Sequence, residues 1–203
     1  MARGRTEEPR RARKTAARQS ARPARVRSLP RYEASAERTP LPPEAARLAS
    51  TELPLVGAWI TEGWQENRVA GVVIARREPG GRVLAGWFLV DLRGFGLREA
   101  WGYLAATEAE LTQRLKRGAY VAADYAEARR LLLAAEQWAQ QWEFALPQEW
   151  DVLRNLIEPP RPGEVLPLEL FGDEDGRPLL SGELADLARH LGAEGNGAPE
   201  KAG

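Results

Sequence analysis

The sequence predicts an α+β fold: a small antiparallel sheet built on a central β-hairpin, with helices packed on it, behind a basic N-terminal arm. Three observations carry this. Two apolar runs, VAGVVIARR (residues 69–77) and RVLAGWFLVDL (82–92), flank the turn-forming tetrad EPGG. Downstream, Tyr125, Ala128, Leu132, Ala135, Trp138 or Ala139, and Trp142 recur at helical spacing. And the first fifty residues hold no Trp, Phe or Ile, with Tyr32 their only aromatic, whereas all seven tryptophans fall between Trp59 and Trp150.

Residues 1–50 therefore read as a disordered basic arm, too poor in anchoring side chains to build a core. Pro42-Pro43 can open a short helix over 43–50. One α+β domain is expected over 53–182, and a short helix and disordered tail over 183–203. Within the domain, Leu55–Ile60 reads as a strand and Thr61–Arg68 as a polar connection or helical turn.

A four-residue EPGG loop would pair Arg77 with Arg82, Val73 with Gly86 and Gly71 with Phe88. One face then carries Val69, Val73, Leu84, Phe88 and Val90; the other carries Val72, Ile74, Val83, Trp87 and Leu89. Gly71 and Gly86 would share a face. Because both faces are apolar, the hairpin should be covered on both sides or wrap a helix.

Leu97–Leu104 and Glu108–Arg117 read as helices. Thr107 and Glu110 form a capping box for the second, and Gly118 stops it. Asp124 with Glu127 starts the long helix, which runs to about Phe144. Pro147–Ile157 should be a further helix with Trp150, Leu153 and Leu156 or Ile157 inward. EPPRPG (158–163) reads as a stiff linker, Val165–Phe171 as a strand, Gly172–Pro178 as a turn, Leu179–Ser181 as a short strand and Glu183–Leu191 as a short amphipathic helix.

Four stretches carry a resemblance to a family of uncharacterised bacterial and archaeal proteins. They are WITEGWQENRVAGVVIARR from Trp59, GRVLAGWFLVDLRGFGLREA from Gly81, the helix from Tyr125 to Phe144, and FGDEDGRPLLSG from Phe171. The shared pattern is W-x-x-E-x-W, V-V-x-A-R-R, then G-x-F-L-V-D-L-x-x-x-G. The resemblance implies the domain limits 53–182 and no assigned activity. Such relatives are sometimes found beside a small C-terminal zinc-binding module, which this sequence lacks. They often carry a histidine after the long helix, where this chain has WEFALPQEW (142–150).

Chemistry-bearing residues are few. There is no cysteine, and His190 is the only histidine. A Ser-His-Asp triad in the core and a His/Cys zinc site are thereby excluded. Ser181 lacks a G-x-S-x-G setting. Gly-Phe-Gly from Gly94, ahead of an expected helix, reads as an anion-binding helix start or as a plain turn. Asp91, Glu62 and Glu66 read either as a Mg²⁺-binding carboxylate group for phosphoryl chemistry, or as an Asp91–Arg68 pair and turn-capping contacts. GDEDGR from Gly172 is too short for a calcium loop and lacks its closing Glu, so a turn is expected. No cofactor is expected.

Charge is segregated. Residues 1–38 hold 12 Arg or Lys and 4 Glu, a net of +8, and the remainder holds 17 against 25, a net of −8. Arg3, Arg5, Arg10, Arg11, Arg13, Lys14, Arg18, Arg22, Arg25 and Arg27 are the expected nucleic-acid contacts, electrostatic and weakly sequence-specific. Arg76 and Arg77, at the hairpin end, are expected to contribute little to nucleic-acid binding. With no apolar h-region at the start and no apolar run near 20 residues, the chain reads as cytoplasmic, with no membrane partner. The leading expectation is a non-enzymatic binding protein acting on RNA or the ribosome. Alternatives are a protein-interaction adaptor docking through Trp64 or Trp101, and a carboxylate-dependent enzyme on nucleic acid.

Overall fold

The computed structural model describes residues 43–179. The expected arm, Ser181, His190 and the C-terminal helix and tail lie outside them, apart from the short helix α1, Pro43–Leu48, which was expected.

The order of elements after α1 is β1 (Leu55–Thr61), α2 (Trp64–Asn67), β2 (Val69–Arg77), β3 (Val83–Asp91), β4 (Gly96–Ala105), α3 (Glu108–Arg117), β5 (Tyr120–Ala123), α4 (Tyr125–Gln141) and α5 (Trp150–Leu153). The five strands form one antiparallel sheet in the order β4-β3-β2-β1-β5. The α+β class and the central hairpin are as expected.

The hairpin register differs by one residue. Arg77 pairs with Val83, so Ile74 faces Gly86 and Val72 faces Phe88. The cause lies in the turn. Gly81 adopts φ +86°, and Glu78 N–H donates to the Arg82 carbonyl, so three residues, not four, form the loop. A one-residue slip moves every side chain of one strand to the other face. Val73 thus joins Trp87, Val72 joins Phe88, and Gly71 and Gly86 lie on opposite faces.

The segment read as a helix over 97–104 is a strand, β4. Its residues Leu, Arg, Glu and Ala form helices readily, but Gly96 turns the chain back at φ +71°, and the outer edge of β3 offers a full row of backbone partners. A bulge at Arg98 absorbs one residue between Leu97 and Glu99. Gly96 also permits close packing, because a Cβ there would lie 2.5 Å from the Ala135 carbonyl of α4. With a strand at 96–105, no helix begins at Gly94, so the anion-site reading of Gly-Phe-Gly falls. β5 was not anticipated; YVAA is too short to show a period.

Both sheet faces are covered, as the two apolar faces required. On one side Leu131, Leu132, Ala135 and Trp138 of α4, with Trp150 and Leu153 of α5, pack on Ile74, Leu84, Phe88 and Val90. Trp150 meets Phe88 edge-on, with centroids 5.6 Å apart. Asp124 caps α4, its carboxylate accepting from Ala126 N–H at 2.6 Å. On the other side α3 joins β4 to β5, the two sheet edges, and buries Leu111 and Leu115 over Val73, Ala75, Val83 and Ala85. Thr107 caps α3 by accepting from Glu110 N–H, while the Glu110 carboxylate reaches back to Ala106 N–H.

Past Leu153 the expected helix tightens into a 3-10 turn at Arg154–Leu156, with Leu156 and Ile157 buried as expected. The expected strand over 165–171 does not form. Pro167 lacks a donor, and both sheet edges lie elsewhere; a 3-10 turn, Leu168–Leu170, leads instead to buried Phe171, stacked on Trp138 at 5.6 Å.

Leu132 is fully buried. Leu132→Ala should therefore destabilise the domain by about 2–5 kcal/mol, read as a lowered denaturation midpoint at constant m-value.

Candidate functional site

The carboxylates that the sequence left open do not converge. Asp91 ends β3 and spends both oxygens on the following turn, accepting from Arg93 N–H at 3.0 Å and Phe95 N–H at 3.4 Å. Arg68 does not pair with it: its guanidinium donates to the carbonyls of Leu92 (3.3 Å) and Gly172 (2.7 Å). Glu62 and Glu66 are exposed on either side of Gly63. Among the described residues no group of three His, Cys, Asp or Glu is placed to hold a metal ion. In the GDEDGR turn the Asp173 carboxylate accepts from the Asp175 and Arg177 amides, so it too is used locally.

The densest polar cluster among the described residues is one the sequence did not single out. Arg76 is 3 % exposed and donates from all three nitrogens: Nε to the Leu156 carbonyl (2.8 Å), Nη1 to the Thr51 and Leu53 carbonyls (3.0 and 2.8 Å), and Nη2 to Tyr125 Oη (3.1 Å) and Glu158 Oε1 (2.7 Å). Tyr125 Oη also donates to Glu158 Oε2. Arg76, expected to contribute little to nucleic-acid binding, is thus a structural residue of the domain. Segments 51–53 and 156–158 close over it. Arg77, half exposed, pairs with Glu108.

Next to this network, Arg129 of α4 reaches the EPPRPG segment. It donates to the carbonyls of Glu158 (3.1 Å) and Pro159 (2.5 Å) and grips both Glu164 oxygens at 2.6 and 2.9 Å. The segment is therefore fastened to the domain and is not a linker. Arg129, then the Arg161 amide, hold the Glu164 carboxyl well below its usual range, at about 2. Tyr125, Arg129, Glu158, Glu164 and the exposed prolines line a shallow cleft of about 480 Å³. The charges of Arg129, Glu158 and Glu164 in it are already paired, and Arg161 of the same lining is exposed.

A second cluster is aromatic. On the α3 side, Trp59, Trp101, Tyr103 and Tyr120 are half-buried around Trp87. Trp101 stacks on Trp87 at 6.3 Å and 15°, and Tyr120 meets Trp87 edge-on at 5.2 Å. Gly71 makes room for Tyr120, whose hydroxyl lies 2.6 Å from where a Cβ would be. Arg114 lies over the Tyr103 ring at 3.8 Å. The Trp87 indole N–H is buried and lacks a hydrogen-bond partner. Strand alternation marked Trp87 as a core residue; the fellowship of the five rings depends on the true register and on β4 and β5 being strands. Trp64, on the opposite face, is also half-buried.

Arg3, Arg5, Arg10, Arg11, Arg13, Lys14, Arg18, Arg22, Arg25 and Arg27 lie outside the described residues. Among the described residues no helix is long and apolar enough to cross a membrane.

Two outcomes follow. Arg76→Ala leaves three carbonyls and Glu158 without their donor and should cost about 3 kcal/mol or more, measured by denaturant unfolding. Glu164, with its folded pKa depressed to about 2, contributes stability that is fully present above its unfolded value near 4.5. That contribution is lost as pH falls towards 2, so unfolding midpoints of wild type and Glu164→Gln should differ at pH 6 and converge near pH 2.

Comparison of the chain with protein-family models, with curated proteins and with solved structures returned no match.

Proposed function

We propose that this is a non-enzymatic, cytoplasmic binding protein that engages RNA, the ribosome included, through its basic N-terminal arm. The observation that carries the reading is the charge segregation: +8 within residues 1–38 against −8 in the remainder. Cations concentrated on one stretch of chain attract phosphates and release condensed counterions on binding. A body of opposite sign adds no such attraction of its own.

The alternatives draw less support. A carboxylate-dependent enzyme needs acids that share a metal or act as a pair, and Asp91 is occupied by two backbone amides while Glu62 and Glu66 are exposed apart from it. An adaptor docking through Trp64 or Trp101 needs an exposed apolar patch. Both rings are half-buried, against different faces of the sheet.

RNA titration of the full chain and of a form lacking residues 1–38, at two salt concentrations, tests the reading. If about 6–8 phosphates are neutralised, log K for the full chain should fall with log salt at a slope of roughly −4 to −7. Truncation should remove most of that slope and most of the affinity. Equal binding by both forms would move recognition to the domain, and no binding by either at low salt would leave the adaptor reading ahead.

A further inference from the structure

We infer that β5 is an association edge: it pairs antiparallel with β5 of a second copy of this chain, joining two five-stranded sheets into one. β5 is the last strand of the sheet and has β1 on one side only. Glu62 N–H donates to the Ala119 carbonyl, in register with the β1–β5 pairs. Hydrogen-bonded and non-bonded pairs alternate along an antiparallel ladder. Val121 and Ala123 therefore aim their backbone groups at β1, and Ala122 aims its own away from the sheet. An outward-facing edge of this kind is a template for another strand. The opposite edge, β4, is broken by the bulge at Arg98, and the charge of that residue stands exposed. β5, with the sequence YVAA, has no bulge, no proline and no charge. Val121 is 48 % exposed, and Ala119, Ala122 and Ala126 around it are exposed as well.

Charge selects the occupant. Lys116 and Arg117, both exposed, stand just before β5, and Asp124 and Glu127, both exposed, just after it. A twofold axis through an antiparallel pair sets the start of each β5 beside the end of the other. The basic end of one copy then meets the acidic end of its partner, twice over, whereas parallel pairing would set like charge on like. A peptide has to be ordered as it binds; a second copy brings a strand that the sheet has already ordered. The shortness of β5 limits the ladder to a few bonds, so this association belongs at the weak end of protein interfaces. It does not depend on the RNA reading; on that reading, a pair of chains also presents two arms to one polyanion.

The test is sedimentation equilibrium of the full chain at about 10–500 µM, the range suited to a weak interface, paired with amide hydrogen exchange. The average mass should rise with concentration towards twice that of the chain, and less steeply at high salt. The Ala122 amide should exchange fast in dilute solution and more slowly as the protein is concentrated. Ala122→Pro removes an N–H that the sheet itself does not use, so it should hold the chain at monomer mass with its unfolding midpoint little changed. Val121→Lys, at an exposed position, should do the same. Lys116→Glu with Arg117→Glu should weaken association by about ten-fold or more. Monomer mass at every concentration overturns the inference. So does a dimer that both Ala122→Pro and Val121→Lys leave intact, because its contact lies elsewhere. An Ala122 amide already protected in dilute, monomeric protein overturns it too, and makes a segment of the same chain the occupant of the edge.

Discussion

Arg76 is the residue on which the described fold closes. A guanidinium has five N–H bonds in a fixed plane, and here five acceptors meet it. They come from the segment before β1, the start of α4 and the chain after α5, while the residue itself belongs to the central strand pair. Hydrophobic burial draws α4 and α5 onto the sheet but is indifferent to small slides. A planar donor with every bond assigned is not, so the first and last parts of the domain are fixed relative to the hairpin. The group is affordable in the interior because no donor is left over and the charge meets Glu158.

Arg129 repeats the device about one helical turn beyond Tyr125: one buried guanidinium, two backbone carbonyls and a carboxylate. Together the two arginines turn a proline-rich stretch into an ordered strap. The turn Arg161–Glu164, with Gly163 at φ +76° and Glu164 N–H donating to the Arg161 carbonyl, completes it. The strap's exposed prolines carry no N–H that needs an acceptor, which suits a segment with no sheet edge beside it.

The two sides of the sheet are built differently. The α4 side is filled by leucine, alanine and tryptophan and has little surface to offer. The α3 side is crossed by a ten-residue helix on a five-stranded sheet, and aromatic side chains occupy what the helix does not cover. Large rings bury much of their area while keeping an edge or face at the surface. Net charge belongs to another level of organisation: it lies along the chain, in the first 38 residues, and owes nothing to the fold.

The sequence by itself determined the α+β class, the central hairpin, α3 and α4 with their capping residues Thr107 and Asp124, and the burial of Trp87 and Leu132. Each is a local pattern: a turn between apolar runs, a cap before a periodic stretch, a large apolar residue inside it. Tertiary structure decided the hairpin register, because one backbone angle at Gly81 chooses between loops of three and four residues. It decided that 97–104 is a strand, because the edge of β3 supplied partners that outweigh helix propensity. It decided that 165–171 is not one, because no edge was available to it. And it decided the roles of Arg76 and Arg129 and the grouping of the five rings, since these depend on segments distant in the chain coming together, 23 to 82 residues apart for Arg76, which no local pattern encodes.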